Sequence, residues 1–256
     1  DFCAENQDKK SWIKAKTGLF LDPYFSATKL KWILDNTPGS LEKAKSGDIL
    51  FGTVDTWVLW HLTGQLVHAT DVSNASRTLL FNIHTLDYDT DLLSFFDIPL
   101  PCLPAVKESV DDFGVTDASV VGHNFPIRVV IGDQQSALYA QCGPKKGEIK
   151  NTYGTGLFVM ANAGDTVPAS ETLISTVAWS IDGNVSYALE GSIFVGGSAI
   201  QWLRDGLGVI DSAEASEALA LSVEDSDGVM VVPAFTGLGA PHWRPDARGS
   251  IMGLTR

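Results

Sequence analysis

"IGDQQSALYAQCGPKKGEIKNTYGTGLF" (residues 131–158) runs from an apolar segment that ends on a carboxylate to a Gly-Thr-Gly turn. An aspartate at the mouth of a buried strand is costly unless it has hydrogen-bond partners or a chemical role. A Gly-Thr-Gly turn presents backbone amides and a hydroxyl where a ligand can come close to the backbone. The stretch therefore predicts a carboxylate, Asp133, that faces an anion-binding turn at Thr155.

The composition of the chain is typical of a packed globular protein. Of its 256 residues, 45% are hydrophobic and 19% are charged, which suffices for one large domain or two of ordinary size. The formal net charge is −13. Such a charge repels the phosphates of nucleic acids and of anionic membranes, so we expect neither as a partner.

Cysteine and histidine are used sparsely. The three cysteines are far apart, and the five histidines show no spacing typical of metal ligands. We therefore predict no disulfide framework and no structural zinc, and we assign no metal ligand. No signal peptide opens the chain and no apolar run is long enough to span a membrane, which together predict a cytoplasmic protein.

Hydrophobic periodicity and turn residues predict an alternation of helices and strands. The predicted helices are 26–36 (capped by Ser26 or Thr28), 55–64 (capped by Asp55), 89–98, 134–143, 192–208 and 213–222. The predicted strands are 49–51, 128–133, 149–153, 156–162, 172–189 and 228–235. The basic stretch 142–147, rich in Gly and Pro, is the best candidate linker, so we divide the chain at residue 141.

Three motifs each allow two interpretations. Asp133 could cap a helix, or it could act as a general base at the end of a strand, with Gln134 and Gln135 offering amides to a polyhydroxy substrate. The turn at 151–156 could be a simple hairpin or a phosphate-binding loop, although neither a P-loop nor a dinucleotide fingerprint occurs. The glycines in 196–202 could permit close helix packing, or they could let adenine approach the backbone near Gln201.

The motifs together resemble the FGGY family of carbohydrate kinases, and within it the members that phosphorylate glycerol. The resemblance runs from about Lys16 to Arg256. It is carried by "YFSATKLKWILDN" (24–36), "GTVDTWVLWHLTG" (52–64), "TDVSNASRTLLFN" (70–82), "GDQQSAL" (132–138), "KNTYGTGLF" (150–158), "LEGSIFVGGSAIQWLRD" (189–205) and "VPAFTGLGAPHWRPDARGSIMGLTR" (232–256).

The resemblance implies an α/β fold of two actin-like (ribonuclease-H-like) domains, each only partly present. Residues 1–141 would be the C-terminal part of the family's N-terminal domain, on the glycerol-binding side. Residues 142–256 would be the N-terminal part of its C-terminal domain, on the nucleotide-binding side. The implied reaction transfers the γ-phosphate of ATP to glycerol, giving sn-glycerol 3-phosphate and ADP, with Mg²⁺ on the phosphates.

Site roles follow from the same resemblance, position by position. Asp133 matches the catalytic base. Tyr24, Gln134 and Phe158 match residues that bind glycerol. Thr155 matches a phosphate contact, while Gly197 and Gln201 match nucleotide contacts.

Two features of the family do not appear in this sequence. They are the first phosphate loop (Asp-x-Gly-Thr) and the Arg-Glu pair that grips glycerol, and the chain ends on "GSIMGLTR" (249–256). We therefore expect the 256-residue chain alone to be inactive. The alternatives are another sugar kinase of the family, acting on a pentulose or gluconate, and a non-catalytic actin-like ATP-binding protein. The sequence does not decide whether the full-length protein forms a homo-oligomer.

Overall fold

The computed structural model describes residues 2–255 and has a mixed α/β architecture. Its helices are α1 (Phe2–Glu5), α2 (Lys10–Thr17), α3 (Ser26–Asn36), α4 (Ser40–Ser46), α5 (Val54–Leu62), α6 (Val72–Ala75), α7 (Thr90–Phe96), α8 (Ala118–Val121), α9 (Asp133–Cys142), α10 (Gly197–Asp205) and α11 (Ala215–Leu221). Its strands are β1 (Ala69–Asp71), β2 (Phe81–Asn82), β3 (Asp87–Tyr88), β4 (Ala105–Lys107), β5 (Ile149–Tyr153), β6 (Leu157–Gly164), β7 (Ile174–Ile181), β8 (Asn184–Ile193), β9 (Met230–Val232) and β10 (Ser250–Met252). Single 3₁₀ turns occur at Gln7–Lys9 and Leu100–Cys102.

The chain folds as two compact units. Unit 1 consists of the chain up to Glu148 together with Ala161–Ser170 and Ile174–Leu189. Unit 2 consists of Ile149–Met160, Glu171–Leu173 and the chain from Glu190 onward. Strands β6 and β8 therefore each contribute residues to both units.

The largest sheet has four strands in the order β5-β6-β8-β7. Its β7–β8 connection is the dipeptide Asp182-Gly183, and both residues have positive φ (50° and 76°). This Asp-Gly combination is typical of the two-residue turns that match the twist of an antiparallel hairpin. Elsewhere β1 pairs with β4 in parallel, while β2–β3 and β9–β10 are antiparallel.

The core of unit 1 lies between α6 and strand β7. Val72 and Ala75 of α6 pack with Val177 of β7, and Phe81, Ile83 and Tyr187 complete the buried cluster. Every residue of β7 from Ile174 to Ser180 is buried, as expected for a strand covered on both faces. The start of α9 contacts both elements, since the Gly132 amide donates to Ser73 Oγ of α6 and Gln135 Nε2 lies 3.5 Å from Val177 O of β7.

The structure confirms most of the predicted elements. Strand β5 has the predicted bounds, and α3 and α9 differ from prediction by at most one residue at either end. The predicted strand 172–189 is instead the β7–β8 hairpin, because the Asp-Gly turn interrupts it. Predicted helix 192–208 is shortened to α10, since β8 continues to Ile193.

The predicted strand 128–133 is wrong. The segment forms one isolated bridge, between Val129 and Val110, and a second bridge, between Pro126 and Val115, lies just before it. The backbone hydrogen bonds around it do not keep one register. Asp111 N–H donates to Arg128 O, whereas Phe113 N–H donates to Ile127 O and Ile127 N–H donates to Gly114 O. An irregular partner loop therefore prevents a continuous ladder, which a run of β-branched residues cannot reveal.

The predicted strand 49–51 and the predicted helix caps are also wrong. Phe51 N–H donates one bond to Cys102 O (2.7 Å), and no strand forms at 49–51. The N-cap residues of α3 and α5 are Phe25 and Thr53, and neither forms a capping hydrogen bond through its side chain. Asp55 lies inside α5, where its carboxylate accepts from Thr70 Oγ1 (2.6 Å).

The carboxylate of Asp89 stabilises unit 1 in two ways. It caps α7 by accepting the amides of Asp91 and Leu92, and it pairs with Lys16 at 2.8 Å. Burial raises the pKa of Asp89, but the hydrogen bonds from Lys16, Asn82 and the Leu92 amide outweigh it, so the pKa lies below its usual value.

We expect Asp89→Ala to lower the free energy of unfolding by about 1–3 kcal/mol, through loss of the cap and the ion pair. Because the folded pKa is lowered, this stabilisation is complete above about pH 4 and is lost as the pH falls through the folded value. Urea unfolding of both proteins between pH 7 and pH 3 measures it. Asp91→Ala is the control, since Asp91 also contacts Lys16 but caps nothing. Equal losses in the two variants would contradict the capping role.

Candidate active site

Asp133 occupies the first position of α9 and is exposed to solvent. The N-cap is Gly132, so Asp133 is not the cap that one interpretation predicted. Its Oδ1 accepts the backbone N–H of Gln134 at 2.8 Å. The first turn of a helix is a favourable position for an acidic side chain, and here that side chain is open to solvent.

The two glutamines after Asp133 differ in their surroundings. Gln134 is partly exposed, and its Nε2 lies 3.5 Å from Asp133 Oδ2. Gln135 is only 4% exposed, and its Nε2 points inward to Val177 O (3.5 Å). The expectation that Gln135 offers an amide to a substrate is therefore wrong, whereas Gln134 is placed beside the carboxylate.

Tyr24 lies in the turn before α3 and is 45% exposed. Its backbone N–H donates to Asp22 Oδ1 (2.8 Å), and its ring packs edge-on against buried Phe25, with centroids 5.2 Å apart. Lys29 Nζ donates to Tyr24 O at 2.9 Å. These contacts hold the turn while leaving an aromatic face toward solvent.

The Gly154-Thr155-Gly156 turn joins β5 to β6 and docks on the start of α10. Thr155 O accepts from the Gly196 amide (2.8 Å), the Ser198 amide (3.2 Å) and the Ser198 hydroxyl (2.9 Å). Gly154 O accepts the Gly197 amide at 2.8 Å. The segment is thus a hairpin turn whose carbonyls accept the first amides of α10, and the Thr155 side chain is exposed to solvent.

Close packing explains the glycines at the start of α10. A Cβ on Gly197 would lie 2.7 Å from Gly154 O, so a larger residue would force the backbone of the turn to move. The interpretation that these small residues permit close packing is therefore sufficient for Gly197. Gln201 follows one turn later on the same face of α10 and is exposed, so its amide is available beside the turn.

Phe158 lies on β6 and is partly buried. A Cβ on Gly156 would come within 3.3 Å of its ring, so the Gly-Thr-Gly turn and the aromatic ring pack closely. Phe158, Thr155, Gly197 and Gln201 belong to unit 2, and Tyr24, Asp133 and Gln134 belong to unit 1. Within unit 2 the structure brings Thr155 together with Gly197, and within unit 1 Asp133 with Gln134.

Sequence reasoning missed the polar side chains that support the start of α9. Ser73 Oγ accepts the Gly132 amide at 2.9 Å, and buried Asp71 accepts the Ser73 hydroxyl at 2.9 Å. Both residues lie in "TDVSNAS" (70–76), a stretch noted only as part of a family motif. A buried charge flanked by small hydroxyl residues is the signal that could have drawn attention to it.

Residues 2–255 contain neither a clustered set of metal-ligating side chains nor a membrane-spanning helix. No group of three or more His, Cys, Asp or Glu side chains in this range is arranged to hold a metal ion. No helix in the same range combines the length and the apolar character needed to cross a membrane. All three cysteines lie in this range, and none is disulfide-bonded.

Comparisons with known proteins match the whole chain. The model of the FGGY family of carbohydrate kinases, N-terminal domain, matches residues 3–140, and that of the C-terminal domain matches residues 149–256. The chain is 53% identical to a glycerol kinase of Burkholderia pseudomallei, over 100% of this chain and 52% of the relative. It is 56% identical to a glycerol kinase of Limosilactobacillus reuteri, over 96% of this chain and 50% of the relative.

A solved structure is similar as well. The crystal structure of Plasmodium falciparum glycerol kinase with ADP superposes with a TM-score of 0.86 at 39% identity, covering 99% of this chain and 51% of that one. The protein therefore belongs to the FGGY family of carbohydrate kinases and has their actin-like (ribonuclease-H-like) fold. The chain spans about half the length of the curated relatives it matches.

Proposed function

We propose that the full-length protein is a glycerol kinase that transfers the γ-phosphate of ATP to glycerol, giving sn-glycerol 3-phosphate and ADP. The observation that carries this proposal is the identity of 53–56% to curated glycerol kinases along essentially the whole chain. The geometry supports it, because Asp133 is exposed at the first turn of a helix and Gln134 lies beside it.

In the proposed reaction, Asp133 accepts the proton of a terminal glycerol hydroxyl while that oxygen attacks the γ-phosphorus. Tyr24, Gln134 and Phe158 bind and orient glycerol. Phosphoryl transfer depends mainly on positioning and on neutralising charge, so an exposed carboxylate on a rigid helix start suits the task. One carboxylate and an aromatic surface fit a small polyol better than an anionic sugar acid.

The nucleotide side of the proposal rests on unit 2. Thr155 contacts the transferred phosphate, and Gly197 and Gln201 contact the nucleotide. Mg²⁺ in kinase sites is held by one or two carboxylates and the substrate phosphates, so we propose that it enters with ATP and neutralises phosphate charge. In terms of the family's domains, we propose residues 1–141 as the glycerol side and 142–256 as the nucleotide side.

We also propose that the protein works in the cytoplasm, without nucleic-acid or membrane partners. None of the three cysteines is disulfide-bonded, which suits a reducing compartment, and the net charge of −13 disfavours polyanionic partners.

A coupled assay of ADP release by the full-length protein tests the reaction. We expect turnover with glycerol and a much lower kcat/KM with D-xylulose and gluconate. A preference for either sugar would select another kinase of the family. ATP binding without turnover on any of the three substrates would identify a non-catalytic nucleotide-binding protein.

We expect Phe158→Ala in the full-length protein to raise the KM for glycerol about 10- to 100-fold, the equivalent of losing one buried aromatic contact. The KM for ATP should change much less, because an apolar wall contributes binding to the polyol alone. Initial rates with each substrate varied in turn measure both constants. An equal rise in the two KM values would place Phe158 in the core or the nucleotide pocket.

A further inference from the structure

A largely buried polar cluster contacts the start of α9 through the bond from the Gly132 amide to Ser73 Oγ. It consists of buried Asp71, Ser73 and Ser109 and partly exposed Asn74, and we call it the Asp71 cluster. Asp71 is 0% exposed at the end of β1. Its carboxylate accepts the Ser73 and Asn74 amides (3.1 and 2.9 Å), the Ser73 and Ser109 hydroxyls (2.9 and 2.7 Å) and Asn74 Nδ2 (2.8 Å).

Burying a carboxylate to cap so short a helix has a desolvation cost. Burial raises the pKa of Asp71, and the hydrogen bonds from Ser109, Asn74 and Ser73 oppose that rise. A serine or threonine would cap the four-residue α6 without burying a charge. What the carboxylate adds to a hydroxyl cap is a second oxygen, so that the Ser109 hydroxyl is bound as well as the Ser73 hydroxyl.

Asp71 fixes the direction of the Ser73 hydroxyl. A serine hydroxyl has one proton, and here it is donated to Asp71 Oδ1. The lone pairs of Ser73 Oγ are then turned to Gly132, whose N–H donates to them at 2.9 Å. Gly132 immediately precedes Asp133, so the bond holds the peptide from which α9 starts.

Side chains pack closely around Gly132. A Cβ at this position would lie 2.5 Å from Gln135 Oε1 and 3.6 Å from Ser73 Oγ. On the other side of the cluster, Ser109 Oγ donates to Asp71 Oδ2 and accepts the Ser180 amide of β7 at 3.1 Å. The cluster thus connects the buried strand β7 to the start of α9.

We propose that Ser73, oriented by Asp71, is a positioning residue for Asp133: it holds the Gly132 peptide so that the Asp133 carboxylate keeps one orientation at the first turn of α9. This inference rests on the proposed function and deepens it. Small displacements of a catalytic group are costly in phosphoryl transfer, because positioning supplies most of the rate.

The test compares Ser73→Ala with Ser76→Ala in the full-length protein. Ser76 lies at the end of the same short helix and is equally buried, and its hydroxyl bonds to Ser73 O (2.7 Å) and Thr176 Oγ1 (2.8 Å). Each variant loses one buried hydroxyl, so both should lower the melting temperature by similar amounts. We expect Ser73→Ala alone to lower kcat about 10-fold, with the KM for ATP nearly unchanged. Ser73→Thr, which keeps a hydroxyl, should recover most of the rate.

A double-substitution cycle distinguishes positioning from a purely structural effect. If Ser73 acts through Asp133, adding Ser73→Ala to Asp133→Asn should slow the enzyme no further. Equal kcat values for Ser73→Ala and Ser76→Ala, or additive losses in the double variant, would overturn the positioning role and leave the proposed function standing. Full activity of Asp133→Asn would overturn the positioning role together with the catalytic role of Asp133, whereas the proposed function fails only if the unaltered protein does not phosphorylate glycerol.

Discussion

Replacing Asp133 by asparagine in the full-length protein is expected to lower kcat for glycerol about 10²- to 10⁴-fold, the usual contribution of a positioned general base. Asparagine keeps the size of the side chain and an oxygen that can accept the Gln134 amide, so the first turn of α9 should persist. What is lost is the capacity to accept a proton from the attacking hydroxyl. Steady-state rates at saturating ATP and glycerol measure the effect.

Asp91→Asn provides a matched control for Asp133→Asn. Asp91 is also an exposed aspartate in the first turn of a helix of unit 1, yet no role in the reaction is assigned to it. We expect near-normal kcat for this control and, by calorimetry, ATP affinity close to that of the wild type for both variants. Near-normal glycerol phosphorylation by Asp133→Asn would remove Asp133 from the catalytic role.

Replacing Gly18 by alanine is expected to destabilise unit 1 by about 2–5 kcal/mol. Gly18 ends α2 with φ of 73°, and its carbonyl accepts the Ser175 amide at 3.0 Å. An added Cβ would lie 2.0 Å from Ser175 O and 2.9 Å from Ile83 Cδ1. The backbone of buried β7 would have to move, in addition to the cost of a left-handed alanine. Urea unfolding at neutral pH gives the difference in free energy.

Gly39→Ala separates the two costs. Gly39 has φ of 76°, but nothing lies within 4 Å of the position that a Cβ would take there. Gly39→Ala should therefore lower the free energy of unfolding only by the cost of a left-handed alanine, about 1–2 kcal/mol. If Gly18→Ala cost no more than Gly39→Ala, the close approach of β7 to the end of α2 would not exist in solution.

Local chemistry in the sequence predicted the elements whose ends are set by nearby residues. The predicted bounds of β5 are correct, and α3 ends where Thr37, Pro38 and Gly39 follow it. Segment 128–133 shows the limit of this reasoning. Its β-branched residues favour an extended backbone, but a strand also needs a regular partner, and the partner loop around Asp112 changes register.

In the candidate site too, features set by neighbouring residues could be predicted, and features set by distant residues could not. Asp133 and Thr155 stand out because a carboxylate after an apolar run and a Gly-Thr-Gly turn are visible within a few residues. The bond from Gly132 to Ser73 joins positions 59 residues apart, and no spacing rule indicates it. Burial of Gln135 likewise depends on β7, which packs against α9 from far along the chain. Contacts that are distant in sequence follow from the tertiary fold alone.

Unit 1 cannot be released by a single cut of the chain, because the chain passes between the units at 148/149, 160/161, 170/171, 173/174 and 189/190. A protease nick at 148/149 would leave Ile174–Leu189 on the second fragment, although Val177 in this segment is part of the same buried cluster as Phe81. The two fragments should therefore run as separate bands under denaturing conditions and co-elute under native ones. For the same reason the chain is suited to split-protein complementation, in which each half depends on the other to complete its core.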